Sequence, residues 1–135
     1  MRISSPPGHE FANPTVVEEI KVVTYQPSDL VNTVLSVPVE AGTFVTGVGH
    51  IVETAFTGGT PAIKIGDSGD DDCYGAAAAF SPTTPGNFVM NASGPKYYSG
   101  LDAIRVTHAA GLTGGKGKVF VRFFRTSGDW RVPDL

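Results

Sequence analysis

The densest group of chemically capable side chains lies in one short loop. Residues 66–72 read Gly-Asp-Ser-Gly-Asp-Asp-Asp and carry four carboxylates, those of Asp67, Asp70, Asp71 and Asp72. Calcium takes about six to eight oxygen ligands, which carboxylates and loop carbonyls would supply together. Asp and Gly are also the residues that turns favour for their backbone conformation. We favour the turn, because the spacing does not match the EF-hand loop, and keep calcium as the alternative.

The histidines and the cysteine form no catalytic or metal-binding pattern. His50 and Glu53 fall on opposite faces of a strand, so they cannot chelate one ion. Cys73 follows three aspartates, whose charge raises the pKa of a thiol and makes it a poor nucleophile. The sequence has neither a Gly-x-Ser-x-Gly motif nor a phosphate-binding loop. We expect hydrogen-bonded histidines at a core edge or a subunit contact, a structural cysteine, no cofactor and no catalysis.

Three aromatic residues near the C-terminal part of the chain are candidate contact residues, namely Tyr97, Tyr98 and Trp130. Aromatic side chains side by side form a platform on which a sugar ring can stack. Tyr and Trp are also enriched at protein interfaces, where one end of the side chain is apolar and the other polar. We favour the interface and keep glycan binding as the alternative.

The composition limits the elements that can position these side chains. The 135 residues fit one domain, with 41% hydrophobic and 17% charged residues. The 17 glycines and 10 prolines indicate many turns and disfavour a helical bundle or a coiled coil. A net charge of −3 without a basic cluster argues against nucleic-acid binding, and no apolar run is long enough to span a membrane. A single cysteine excludes an internal disulfide and favours assembly in a reducing cytoplasm.

Short extended runs with turn residues between them predict about eight strands. They lie at 16–25, 31–39, 43–56, 62–65, 88–90, 97–98, 101–108 and 118–125. Glycines 47 and 49 inside the longest run indicate a bulge or the close approach of another backbone. Residues 57–60 and 111–115 predict hairpin turns. We therefore predict an all-β fold, an antiparallel β-sandwich or jelly roll.

The two ends of the chain differ from this β domain. Prolines and small residues in 1–14 predict an extended arm, followed by a domain over 15–125 and a polar tail over 126–135. An extended arm of that length reaches about 45 Å and cannot bury itself on so small a core. We expect it to contact other subunits, together with the tail and the aromatic residues above. The arm residues in this prediction are Ile3, Pro6, Pro7 and Phe11.

The middle of the chain carries a resemblance to a known family. Residues 37–45 read VPVEAGTFV, residues 51–60 read IVETAFTGGT, and residues 63–72 read IKIGDSGDDD. This order of strands, Ala/Gly turns and a Gly-Asp-rich hairpin end resembles the β-sandwich virion proteins of tailed bacteriophages.

The resemblance implies a structural virion protein that assembles, usually as a trimer, and catalyses nothing. Its expected role is capsid decoration, in which it binds the major capsid protein and neighbouring copies after assembly in the host cytoplasm. A neck, tail or head-fibre component is an alternative. A carbohydrate-binding module for attachment to the host is a second alternative, and an enzyme with an unrecognised carboxylate site is a third.

Overall fold

The computed structural model describes residues 18–90 and 95–125. The predicted arm and tail lie outside these residues, and with them Ile3, Pro6, Pro7, Phe11 and Trp130. Within the described ranges the chain forms eight strands: β1 Glu19–Tyr25, β2 Val34–Val39, β3 Thr43–Thr57, β4 Ile63–Gly66, β5 Phe88–Met90, β6 Lys96–Tyr98, β7 Asp102–His108 and β8 Gly114–Arg125. Short 3-10 turns lie at Pro27–Asp29 and Ala77–Ala79. None of the helices in these ranges has the length and apolarity needed to cross a membrane.

The strands form two antiparallel sheets. The larger has the order β1-β8-β3-β5, with β6 pairing β3 on the same side as β5, and the smaller has the order β2-β7-β4. The first strand pairs with the last, and the second pairs with the seventh, as in a jelly roll. The predicted all-β sandwich is confirmed.

Both predicted hairpin turns are wrong. Residues 57–60 span the end of β3 and its connection to β4, and residues 111–115 span the connection from β7 and the start of β8, but each pair of strands belongs to different sheets. The two connections contact each other, since a Cβ built on Gly58 would lie 2.4 Å from the carbonyl oxygen of Gly111. Gly58 also has a φ of +92°, which favours glycine. Glycine-rich turns of this kind therefore occur in connections between the two sheets as well as in hairpins within one sheet.

The core lies between the two sheets, and a bulge determines which residues of β3 enter it. The register of β3 against β8 shifts between Val45 and Gly47. An extra residue reverses the alternation of side chains, so Val45 shares the buried face with Val48 and Val52. Strict alternation along β3 would place Val45 on the face opposite to Val48 and Val52. The predicted bulge is confirmed.

The last described strand, β8, is apolar on both faces, a pattern that predicts a strand covered on both sides. Val119 and Val121 point inwards and are buried, whereas Phe120 and Phe124 lie on the other face and are only partly buried. We expected a strand covered on both sides. In the described residues only the inner side of this sheet packs against a second sheet, so the outer face of β8 is partly open.

Candidate functional site

The first aspartate of the acidic loop is buried and has a structural role. Asp67 is 2% exposed. Its Oδ1 accepts the backbone N–H groups of Gly69 and Asp70 at 2.9 and 3.1 Å, and its Oδ2 accepts bonds from Lys96 at 2.5 Å and Tyr98 at 2.7 Å. Burial alone would raise the pKa of Asp67, but these four donors outweigh it and lower the pKa to about 2. Both oxygens are therefore already used within the protein.

The other three aspartates remain together at the surface. Asp70, Asp71 and Asp72 are exposed, and their carboxylate oxygens lie within 4.8 Å of one another. Asp71 also pairs with Lys64 at 2.5 Å, and the neighbouring Asp70 raises the pKa of Asp72 by hydrogen bonding and repulsion. The candidate calcium ligands are therefore Asp70, Asp71 and Asp72 without Asp67, and calcium binding stays a prediction. The backbone amides bonded to Asp67 form an Asx turn, which agrees with the turn interpretation.

This loop folds back tightly on the end of β4. A Cβ on Gly66 would lie 2.1 Å from the carbonyl oxygen of Asp70, so only glycine fits there. The adjoining Cys73 is partly buried against the core, and burial, followed by the charge of Asp67, raises the pKa of its thiol to about 11. The expectation of a structural, unreactive cysteine agrees with this environment.

The two neighbouring tyrosines of β6 lie on opposite sides of the sheet. Tyr98 is 5% exposed and bonds Asp67 and the hydroxyl of Tyr74, the latter at 2.6 Å. Tyr97 is 48% exposed and packs on Phe44. Tyr98 therefore belongs to the core and is not available as a contact residue or as part of a sugar platform. Of the predicted aromatic contact residues that the structure describes, Tyr97 is the one at the surface.

A buried polar cluster lies between the sheets, where β1, β3 and β7 approach one another. The hydroxyl of Tyr25 lies 2.8 Å from Nε2 of His50 and also bonds Nε2 of His108. Phe56 and Phe80 surround the three rings. Burial lowers the pKa of each histidine to about 4, so both are neutral at pH 7. The prediction of hydrogen-bonded histidines is confirmed, but they lie inside the core.

The single hydroxyl proton fixes the tautomers of this cluster. Tyr25 can donate to one Nε2 only, so the other imidazole must donate its Nε2–H to the hydroxyl oxygen. Nδ1 of His108 is buried without a partner among the described residues. A buried acceptor without a partner is better tolerated than a buried N–H. We therefore place the proton of His108 on Nε2 and that of His50 on Nδ1.

The outer face of the larger sheet carries a group of aromatic side chains, which we call the aromatic face. It consists of Phe44, Phe88, Tyr97, Phe120 and Phe124, contributed by β3, β5, β6 and β8. The ring centroids of Phe44 lie 4.7 Å from Tyr97 and 5.1 Å from Phe124, and Phe88 meets Phe120 at 6.0 Å. These rings form two contacting groups on one surface. The apolar alternation of their strands predicts instead that a second layer covers this surface.

Glycines in β3 form the floor of the aromatic face. A Cβ on Gly49 would lie 2.3 Å from Sδ of Met90, and one on Gly47 would lie 2.8 Å from a terminal nitrogen of Arg122. The two side chains therefore lie flat across β3. The predicted close approach at these glycines is mainly one of side chains, whereas another backbone approaches closely at Gly58 and Gly66.

One shallow cleft opens between the sheets. Its volume is about 80 Å³, and its lining includes Val37, Thr43 and Val121. Small-molecule sites usually enclose roughly 300–1,000 Å³. The cleft is therefore smaller than a typical cofactor or sugar pocket.

Comparison with known proteins identifies the fold. The chain matches no protein-family model and no curated protein. It is similar to a chain in the capsid asymmetric unit of cyanophage Pam1, with 19% identity, a TM-score of 0.65, and coverage of 93% of this chain and 94% of that chain. It is also similar to a chain in the acidic stable capsid structure of Helicobacter pylori bacteriophage KHP30, with 14% identity, a TM-score of 0.62, and coverage of 82% and 90%. The fold is thus shared with chains of two phage capsids, as the resemblance predicted.

Proposed function

We propose that this chain is a structural component of a phage virion that decorates the capsid, binds the major capsid protein and stabilises the head. One observation carries the proposal: the fold is shared, over most of the chain, with chains in the capsids of Pam1 and KHP30. Coverage above 90% of both chains in the first case means that the similarity extends over the whole sandwich. The proposed role is structural rather than catalytic.

The β-sandwich would act as a rigid block with edges open to neighbours. β1 lies at one edge of the larger sheet and pairs with β8 alone among the described strands. The remaining N–H and C=O groups of an edge strand can pair with an extended segment from another chain. The arm of a neighbouring copy, residues 1–14, which the sequence predicts to be extended, would supply such a segment through its non-proline residues.

Self-association would place several copies on one particle. We propose a trimer, assembled in the host cytoplasm, whose arms and tails contact neighbouring copies. Many weak contacts on a repeating lattice act together, because each bound subunit raises the effective concentration of the next contact. A small protein can therefore reinforce a capsid without a large interface at any one point.

Binding to particles that assemble without this chain tests the proposal. Purified protein should sediment with such particles and raise the temperature at which they release DNA. Heads that neither bind the protein nor gain thermal stability would contradict a decorating role. Binding to isolated tails instead would favour a tail component, and binding to glycans alone would favour attachment to the host.

The arm is tested separately. We compare the full chain, a chain without residues 1–14, and a chain in which those residues are replaced by a Gly/Ser sequence of equal length. Both altered chains should keep the β-sheet circular dichroism of the full chain but lose particle binding. Full binding by the Gly/Ser variant would show that Ile3, Pro6, Pro7 and Phe11 are not contact residues.

A further inference from the structure

The aromatic face exposes large apolar side chains, which is unfavourable for a surface in contact with water alone. Phe88 and Tyr97 are 52% and 48% exposed, and on β1 the neighbouring Ile20 and Val22 are 60% and 49% exposed. The register of β1 against β8 places Ile20 and Val22 opposite Arg122 and Phe120, so they extend the same surface. The largest contiguous apolar patch on a soluble protein covers about 300–600 Å² and is often functional.

The outer face of the smaller sheet provides an internal comparison. Register places Ser36 opposite Arg105 and Lys64 opposite Thr107 on that face. These residues are polar or charged, as expected for a sheet face in contact with water. The same sandwich therefore has one face adapted to solvent and one adapted to an apolar surface.

One donor atom of a cation on the aromatic face lacks a partner. Nε–H of Arg122 is buried and donates no hydrogen bond to any acceptor among the described residues. Two other cations of this sheet are paired, Lys118 with Glu53 at 3.0 Å and Arg125 with Glu40 at 3.6 Å. A guanidinium next to apolar rings is best completed by a carboxylate that arrives with a partner.

The size of the face disfavours a second copy as the occupant. The face covers four strands and about 20 Å of β8, an area on the order of 400 Å². A stable pair of proteins buries about 800 Å² on each partner. A surface this small is sufficient only where many copies bind one repeating lattice.

We propose that the aromatic face docks on the capsid shell, against an apolar patch of the major capsid protein that presents an Asp or Glu carboxylate to Arg122. This inference rests on the proposed function and adds the surface and the chemistry of the contact. The rings supply apolar contact area, and Arg122 sets the position of the partner through its charge-assisted hydrogen bonds.

Co-sedimentation with particles that assemble without this chain tests the docking surface. Two full-length variants change it, the double variant Phe88→Ser/Tyr97→Ser and the single variant Arg122→Gln. The matched control is Val31→Ser/Leu101→Ser, which removes two residues that are 72% and 78% exposed and lie outside all strands. Thermal unfolding by circular dichroism verifies that each variant is folded.

Each face variant should bind particles about tenfold or more weakly, and the control should bind like the unaltered chain. Unchanged binding by folded face variants would overturn the docking surface and leave the proposed function intact. Equal losses in the face variants and the control would also overturn it. If the unaltered chain does not bind particles at all, the proposed function fails, and this inference fails with it.

Discussion

Mild acid should destabilise this protein through the two histidines that share the Tyr25 hydroxyl. In the unfolded chain a histidine has a pKa near 6.5. In the folded chain burial lowers the pKa values of His50 and His108 to about 4. Between these values the unfolded state binds more protons than the folded state, so the free energy of unfolding falls as the pH falls.

The magnitude follows from the shift. One pKa unit corresponds to about 1.4 kcal/mol, so each histidine contributes about 3 kcal/mol that is present at pH 7 and lost by pH 4. Near pH 5.3 the two together give a slope of about 2.4 kcal/mol per pH unit. Asp67 does not interfere, because its pKa is lowered to about 2, and its contribution is lost only below about pH 3.8.

Urea unfolding between pH 4.5 and 7, followed by circular dichroism, measures the slope. The matched variant is His108→Gln, which keeps a donor for Tyr25 and does not titrate. Its slope should fall to about half that of the unaltered chain, whatever its absolute stability. A flat profile for the unaltered chain, or equal slopes for both chains, would refute the assignment of two buried neutral histidines.

Three further predictions concern the polar groups and the loop. The two imidazoles that share the Tyr25 hydroxyl should show opposite tautomers in nitrogen NMR spectra, and identical tautomers would contradict the shared proton. Asp67→Asn should lower the free energy of unfolding in urea by about 2–4 kcal/mol, because a buried network loses its charge. Asp71→Asn, at an exposed ion pair, should lower it by under about 1 kcal/mol. Similar losses in the two variants would argue against a buried network. Gly66→Ala should cost about 2–3 kcal/mol by displacing the loop backbone, whereas Gly100→Ala, with no atom within 4 Å of its Cβ, should be nearly neutral. Equal melting temperatures for the two glycine variants would contradict the close approach.

Local pattern predicted the strands but not how they combine. Alternation along 101–108 puts Ile104, Val106 and His108 on one face, and all three are buried in β7. It did not distinguish a turn within one sheet from a crossing between sheets, because both need the same glycine conformations. It also placed Val45 on the wrong face, since the bulge that reverses the alternation depends on the partner strand.

The site was less predictable, because its contacts join distant parts of the chain. Asp67 is surrounded by glycine and aspartate, which indicates a solvated turn, yet Lys96 and Tyr98 lie about thirty residues away and bury it. The inward positions of His50 and His108 could be predicted from alternation. Their common partner Tyr25 could not, since it depends on the packing of one sheet on the other.

The place of β8 in the larger sheet has a consequence for synthesis. β8 is the last of the described strands and lies between β1 and β3, with Glu19 opposite Phe123. A nascent polypeptide therefore cannot close this sheet until residues 114–125 have left the ribosome. Contacts at such large sequence separation also make folding slow. A product terminated before β8 would leave β1 without its partner strand and β3 without its longest pairing, so the larger sheet would stay incomplete.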